Sequence, residues 1–150
     1  MKRKLAVLIV LVLAISCGDK PESGPVKIYY GEDICERCKM IISEKNFAAQ
    51  YKLSNGETVK FDDLGCMIQY THDTEKTPIS EVYVVDYSSE GWIDGRKAYY
   101  IWTENINTPM GYGLLAFKER LKAEDHSVKD HSRYLGGQKE AYDWFLGENK

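Results

Sequence analysis

Phe47-Ala48-Ala49-Gln50-Tyr51-Lys52-Leu53-Ser54-Asn55-Gly56-Glu57-Thr58-Val59-Lys60-Phe61-Asp62-Asp63-Leu64 is the stretch on which the fold turns. Phe47, Ala49, Tyr51 and Leu53 alternate with Ala48, Gln50 and Lys52, the period of two that marks a half-buried strand. Ser54-Asn55-Gly56 follows, and Asn-Gly is the preferred dipeptide of a tight hairpin turn. Thr58 to Phe61 returns as a second strand with Val59 and Phe61 on one face. Asp62-Asp63 can then cap a helix start, satisfying exposed N–H groups at the positive helix end. Leu64, Met67 and Ile68, at i, i+3 and i+4, carry that helix to about Tyr70. Val82 to Tyr87 is a continuous apolar run that predicts a buried strand. The order is strand, strand, helix, strand.

The second half could echo that order. Ala98 to Trp102 is another strand candidate, followed by a loop from Thr103 to Gly113. Between Leu114 and about Asp125, Leu114, Phe117 and Leu121 stand at helical spacing, although the start of this stretch could extend a strand. His131 to Gly137 is ambiguous, and Gly136-Gly137 breaks whatever precedes it. Lys139 to Leu146 predicts a final short helix with Ala141, Trp144 and Phe145 apolar. No residue-level repeat accompanies the echo.

The amino end reads as an export signal. Met1-Lys2-Arg3-Lys4 precedes the apolar run from Leu5 to Ile15, and Ser16-Cys17 follows. A run of that length is too short to span a bilayer of roughly 30 Å as a helix. The ending Leu13-Ala14-Ile15-Ser16-Cys17 resembles a bacterial lipobox, which makes residues 1–16 a signal peptide and Cys17 the lipidated first residue. An ordinary signal peptide or an uncleaved anchor is the alternative. Residues 17–25 form a polar tether rich in Gly and Pro. The expected location is the periplasmic face of a membrane, the outer membrane by default.

Composition narrows the function classes. The formal charge is −3, and loss of Lys2, Arg3 and Lys4 with the leader lowers it to −6. An acidic domain without a long basic run is a poor nucleic-acid binder. The 11 tyrosines suit half-buried positions with the hydroxyl at the surface.

Chemistry concentrates in Cys35-Glu36-Arg37-Cys38-Lys39-Met40. Two thiols and a thioether within six residues are soft donors, which select copper(I) over harder cations. With Cys17 carrying lipid, Cys35, Cys38 and Cys66 remain. An odd number of thiols leaves at least one unpaired in a space that favours disulfides. A thioredoxin-type motif should open a helix after a strand, which this context does not supply. A structural zinc site wants four Cys or His ligands, and only Cys66, His72, His126 and His131 could complete one. Haem attachment wants His where Lys39 stands. Arg37 and Lys39 beside Cys38 favour its thiolate. Met40 shares a face with Cys38 if the segment is extended. A Cys35–Cys38 disulfide with Met40 in the core is the bland alternative.

A second sulfur site is Thr108-Pro109-Met110-Gly111-Tyr112-Gly113. Pro109 fixes its own φ, and the glycines allow conformations that other residues resist. A methionine held in such a turn is often accessible to solvent; the alternative tucks Met110 inward. Cys66 and Met67 form a third sulfur pair, by residue type more often core than ligand. The histidines carry no spacing signal, with His126 and His131 expected on a solvated face. No Ser–His–Asp set, phosphate loop or paired-carboxylate signature stands out.

With these pieces placed, the chain resembles the NosL family, accessory lipoproteins of nitrous-oxide reductase. The resemblance rests on Tyr30-Gly31-Glu32-Asp33 before Cys38-Lys39-Met40, on Phe47-Ala48-Ala49-Gln50 and on Phe61-Asp62-Asp63-Leu64-Gly65-Cys66-Met67. It continues through Val84-Val85-Asp86-Tyr87, Trp92-Ile93-Asp94, Ala98-Tyr99-Tyr100 and Thr108-Pro109-Met110-Gly111-Tyr112-Gly113. It implies an α+β fold of two small ββαβ modules packed as one compact unit, here residues 26–87 and 88–150, distantly similar in topology to an organomercury lyase. It implies a non-enzymatic protein that binds one copper(I) and delivers it to nitrous-oxide reductase or its maturation machinery. Cys38 matches the family's cysteine, Met40 its neighbouring methionine, Met110 the methionine of the Pro-Met-Gly turn and Asp33 an acidic position before the motif. Many members have Gly where Lys39 stands and lack a thiol where Cys35 stands, so Cys35 could replace a histidine ligand. Another copper-requiring client is compatible with this resemblance.

The expected metal donors are Cys38 and Met110 with Cys35 or Met40, while Asp33, Cys66 and His72 are further candidates. The competing readings are a thiol enzyme acting on disulfides or organomercurials through Cys35 and Cys38, and a structural lipoprotein with a Cys35–Cys38 bridge.

Overall fold

The computed structural model describes residues 23–148 apart from residue 75. The signal peptide, Cys17 and the tether up to residue 22 lie outside the described residues.

The Asn-Gly hairpin forms as its sequence dictates. Strand β1 (Ala49–Leu53) pairs antiparallel with β2 (Thr58–Phe61), Ala49 opposite Phe61 and Lys52 opposite Thr58. Gly56 takes φ 89° in the turn, a left-handed conformation that costs glycine little. Helix α1 (Leu64–Asp73) follows, and β3 (Ile79–Val85) returns to the other side of β1, also antiparallel. The half-buried pattern expected for β1 is only half right. Gln50 and Ala48 are fully buried along with Ala49 and Tyr51. Gln50 Nε2 donates to the Val26 carbonyl at 3.0 Å, and its Oε1 accepts from the Val26 amide at 2.9 Å. The segment leading into the domain is thus fastened at the second face of β1.

The echo is real in topology. β5 (Tyr99–Trp102) is the centre of a second sheet, flanked antiparallel by β6 (Leu114–Phe117) and β7 (Arg133–Gly136), with α2 (Arg120–Lys129) between β6 and β7. The sheet orders β2-β1-β3 and β6-β5-β7 therefore match. Strand β4 (Trp92–Asp94) breaks the symmetry. It pairs with β3, so the first sheet runs to Asp94, past the division expected after residue 87. Helix α3 (Gln138–Glu148) closes the chain. The start of the Leu114 segment is strand, not helix. All four β6 residues are buried, whereas Leu121 is 76% exposed. Its spacing from Phe117 was a coincidence across a strand–helix boundary.

One core joins both halves. Tyr51, Phe61, Met67 and Val84 of the first pack in the same buried cluster as Tyr100, Leu114 and Phe145 of the second. Tyr51 and Tyr100 are fully buried rather than half-buried; the Tyr100 hydroxyl donates to the Gly95 carbonyl at 2.6 Å. Each such apolar side chain contributes about 1.5–3 kcal/mol of burial free energy. The two halves thereby hold one another in a fixed relation, and the loops at their junction are set by the core.

Candidate metal centre

Residues Tyr29 to Ile42 fold back on themselves before the hairpin begins. Gly31 N–H donates to Ile42 O at 2.9 Å, Ile42 N–H to Asp33 O at 2.8 Å and Cys35 N–H to Met40 O at 2.8 Å, with Ile34 and Ile41 bridged antiparallel. At the tip, residues 35–40 form a turn, closed by Lys39 N–H to Cys35 O at 3.0 Å. The turn requires φ 61° at Lys39, the left-handed region that glycine adopts without strain. A glycine here would take that conformation without the strain that Lys39 bears.

The turn corrects the extended reading of this segment. Met40 is 52% exposed and stands outside the core. Cys35 points inward and is fully buried, and Cys38 is half-buried at the surface. Glu36 N–H donates to Lys60 O at 2.9 Å, which pins the turn against the edge of β2.

β2 ends where the turn lies, and α1 begins there. Asp63 is the N-cap; its Oδ1 accepts from Gly65 N–H at 2.8 Å. Asp62, expected to share the capping, does something else. The Cys38 thiol lies 3.4 and 3.5 Å from the two Asp62 carboxylate oxygens. Cys66, in the first turn of α1, is fully buried beside them. The sulfurs of Cys35, Cys38 and Cys66 and a carboxylate oxygen of Asp62 all lie within 4.8 Å of one another. This group could hold a metal ion.

Among the described residues the three thiols, Cys35, Cys38 and Cys66, are free, with no Cys35–Cys38 bridge. They are not equivalent. The Cys66 thiol donates to the Cys35 sulfur, and with the amides of Asp62 and Cys38 it holds Cys35 down to about 7 against burial. Burial pushes Cys38 up to about 11, and the Cys35 sulfur and the Asp62 carboxylate push the same way. Cys66 is raised, first by its bond to Cys35 and then by burial. The sequence expectation that Arg37 and Lys39 favour the Cys38 thiolate fails for a geometric reason. Lys39 Nζ reaches out to Glu36 at 2.7 Å, and Arg37 Nη1 donates to the Tyr112 hydroxyl at 3.4 Å.

The Met110 turn stands against the same helix end. Met110 N–H donates to Asp63 Oδ2 at 3.2 Å, so one carboxylate holds both the start of α1 and the methionine turn. Burial raises the pKa of Asp63, opposed by hydrogen bonds from Thr108, Gly65 and Met110. Met110 is half-buried and packs on the core, between the exposed and tucked alternatives. The Tyr112 hydroxyl bonds Gln69 Oε1 at 3.0 Å, so the thiol turn, the methionine turn and α1 are linked through Arg37, Tyr112 and Gln69. Gly113, at φ 67°, passes so close to Thr103 that an added Cβ would lie 2.1 Å from its carbonyl oxygen.

The other sequence candidates lie apart from the sulfur group. Asp33 accepts from Lys60 Nζ at 2.7 Å and from Tyr29 N–H at 2.8 Å, and the lysine holds its carboxyl below the usual range. That makes it a brace for the turn. His72 is exposed in the last turn of α1. His126 is packed against the rings of Tyr87 and Phe117 rather than standing on a solvated face. Asp62 is the residue that sequence reasoning missed. A signal was present: only the residue directly before a helix can be its N-cap, so the second aspartate of Asp62-Asp63 left the first without an explanation.

The chain matches solved structures. It superposes on the crystal structure of the copper chaperone NosL from Shewanella denitrificans with a TM-score of 0.61 and 19% identity, covering 72% of this chain and 89% of that one. The likeness extends to the fold, which among the described residues is two antiparallel sheets with three α-helices. No curated protein sequence matches the chain. The NosL family matches it over residues 25–138, a span that contains the hairpin, all three thiols and the methionine turn; the chain belongs to the NosL family.

Proposed function

We propose that this protein is a copper(I)-binding accessory lipoprotein that carries the ion as cargo and hands it on outside the cytoplasm. The observation that carries the reading is the meeting of three thiols from two distant segments within 4.8 Å. Thiolate sulfur suits a soft ion such as copper(I), and the structural neighbour is a copper chaperone. Cys38 and Cys35 are the proposed thiolate donors, with Cys66 as the third sulfur. Met110, whose backbone N–H is held by Asp63, and the exposed Met40 are proposed as further thioether donors. Asp62 holds the Cys38 thiol in place, since its oxygens lie against it. Transfer proceeds by ligand exchange: a partner's sulfur or imidazole enters on the Cys38 side as one donor leaves. It is a binding protein, not an enzyme.

The proposed recipient is nitrous-oxide reductase, through its copper–sulfide centre or the machinery that assembles it. The proposed location is the periplasmic face of the outer membrane, with the lipid on Cys17. X-ray absorption of the copper-loaded, lipid-free domain tests the site. It should count mainly sulfur neighbours, with about one copper bound far more tightly than zinc. Cys38→Ser should abolish tight binding. A nitrogen-dominated shell, or unchanged affinity in that variant, overturns the assignment.

A further inference from the structure

The three sulfurs differ in access. Cys35 and Cys66 are fully buried, while Cys38 is half-buried at the surface. An external disulfide can therefore meet only Cys38. Cys35 occupies the same turn, which is closed by Lys39 N–H to Cys35 O at 3.0 Å and Cys35 N–H to Met40 O at 2.8 Å. The Cys35 and Cys38 sulfurs already lie within 4.8 Å of one another, three positions apart in that turn, so a disulfide needs little movement. Cys66 is buried with its backbone fixed in α1, whereas Cys35 shares the surface turn of Cys38.

We propose that Cys38 and Cys35 form a two-step thiol–disulfide relay whose product, a Cys35–Cys38 disulfide, closes the site to metal. The co-reactant is an organic disulfide, small or protein-borne. In the first step the Cys38 sulfur attacks one sulfur of the disulfide. A mixed disulfide forms, the external S–S bond breaks, and one external thiol leaves with the proton that Cys38 yields. In the second step the Cys35 sulfur attacks Cys38. The internal S–S bond forms, the mixed bond breaks, and a second external thiol leaves with the Cys35 proton. Two protein thiols lose two electrons and one external disulfide gains them. Cys66 stays reduced. The loss of copper(I) uptake on oxidation rests on the copper reading; the relay itself does not.

Reduced lipid-free protein, treated with oxidised glutathione and mapped by mass spectrometry after alkylation, tests it. The expected product carries a Cys35–Cys38 link, a free Cys66 and no lasting glutathione. Cys35→Ser should trap glutathione on Cys38, and Cys66→Ser should leave the relay intact. A lasting adduct on Cys38 in the unmodified protein, or a trapped adduct in Cys66→Ser, overturns the proposal. Copper(I) uptake should vanish on oxidation and return with dithiothreitol, and uptake unaffected by the internal disulfide refutes the closing role. Failure of the copper reading would instead show as absent uptake in the reduced protein, with the mapped disulfide unchanged.

Discussion

Asp63→Asn separates the two tasks that one carboxylate performs. Asp63 Oδ1 accepts from Gly65 N–H at 2.8 Å and Oδ2 from Met110 N–H at 3.2 Å. An asparagine side chain has one acceptor oxygen and one NH2 group. It can cap α1 or receive Met110, and the NH2 group meets an N–H donor at the other position. The cap is worth about 1 kcal/mol, and a buried donor left without a partner costs about 1–3 kcal/mol. Asparagine should keep the cap and lose the turn, a stability loss of about 1–3 kcal/mol. Asp63→Ala should lose both, at most about 2–4 kcal/mol, the full sum of the two, because neighbouring effects do not add fully. Urea unfolding of the metal-free domain measures both. The pH dependence carries a sign. The Asp63 pKa is raised from 3.8 by burial, so its contribution is fully present below 3.8 and is lost as pH rises through the folded value. The deficit of Asp63→Asn should therefore be widest in acid and narrow toward neutral pH. Equal stability of Asp63→Asn and the parent across that range, with unchanged copper(I) affinity, would refute the idea that Asp63 ties the methionine turn to the site.

Three other outcomes follow from the geometry. At neutral pH Cys38 and Cys66 are protonated while Cys35, at about 7, is half-ionised. Binding through all three sulfurs should release about two to three protons, and copper(I) affinity should climb with pH above 7; a flat profile in chelator competition between pH 6 and 9, on the order of three units, contradicts thiolate ligation. Gly65→Ala would place a Cβ 2.3 Å from the Tyr112 ring and 2.8 Å from Phe145. That should cost about 1–3 kcal/mol and alter the near-ultraviolet circular dichroism as Tyr112 moves; wild-type stability would mean that the close approach is soft. Lys39→Gly removes left-handed strain worth roughly 1–2 kcal/mol and loses only an exposed pair with Glu36; it should raise the urea midpoint, and a lowered midpoint would show the ion pair matters more than the backbone.

The parts legible from sequence were those fixed locally. Ser54-Asn55-Gly56 specified its hairpin through backbone conformation, and Asp63 its helix through capping, so β1, β2 and α1 stand where their residues placed them. β6 was harder, because a short strand buried on both faces has no period, and Leu121 supplied a false one. The site was legible in its residue types and not in its geometry. Cys35 and Cys66 meet only because the turn before β1 folds back over the end of β2, a contact across about thirty residues that no spacing encodes. Met40 was placed beside Cys38 on the assumption of an extended segment, which the left-handed Lys39 removes. Asp62 went unrecognised because its partner is a thiol brought in from a loop.

The paired bonds between Val26 and Gln50 act as a strain relief at the base of the domain. Tension arriving along the polypeptide from its amino end meets that clasp first and passes into the central strand of the larger sheet. The sulfur-bearing turn lies beyond the clasp and is spared the load. Were the chain held at its amino end as proposed, it could swing and be tugged while the sulfur pocket keeps its shape.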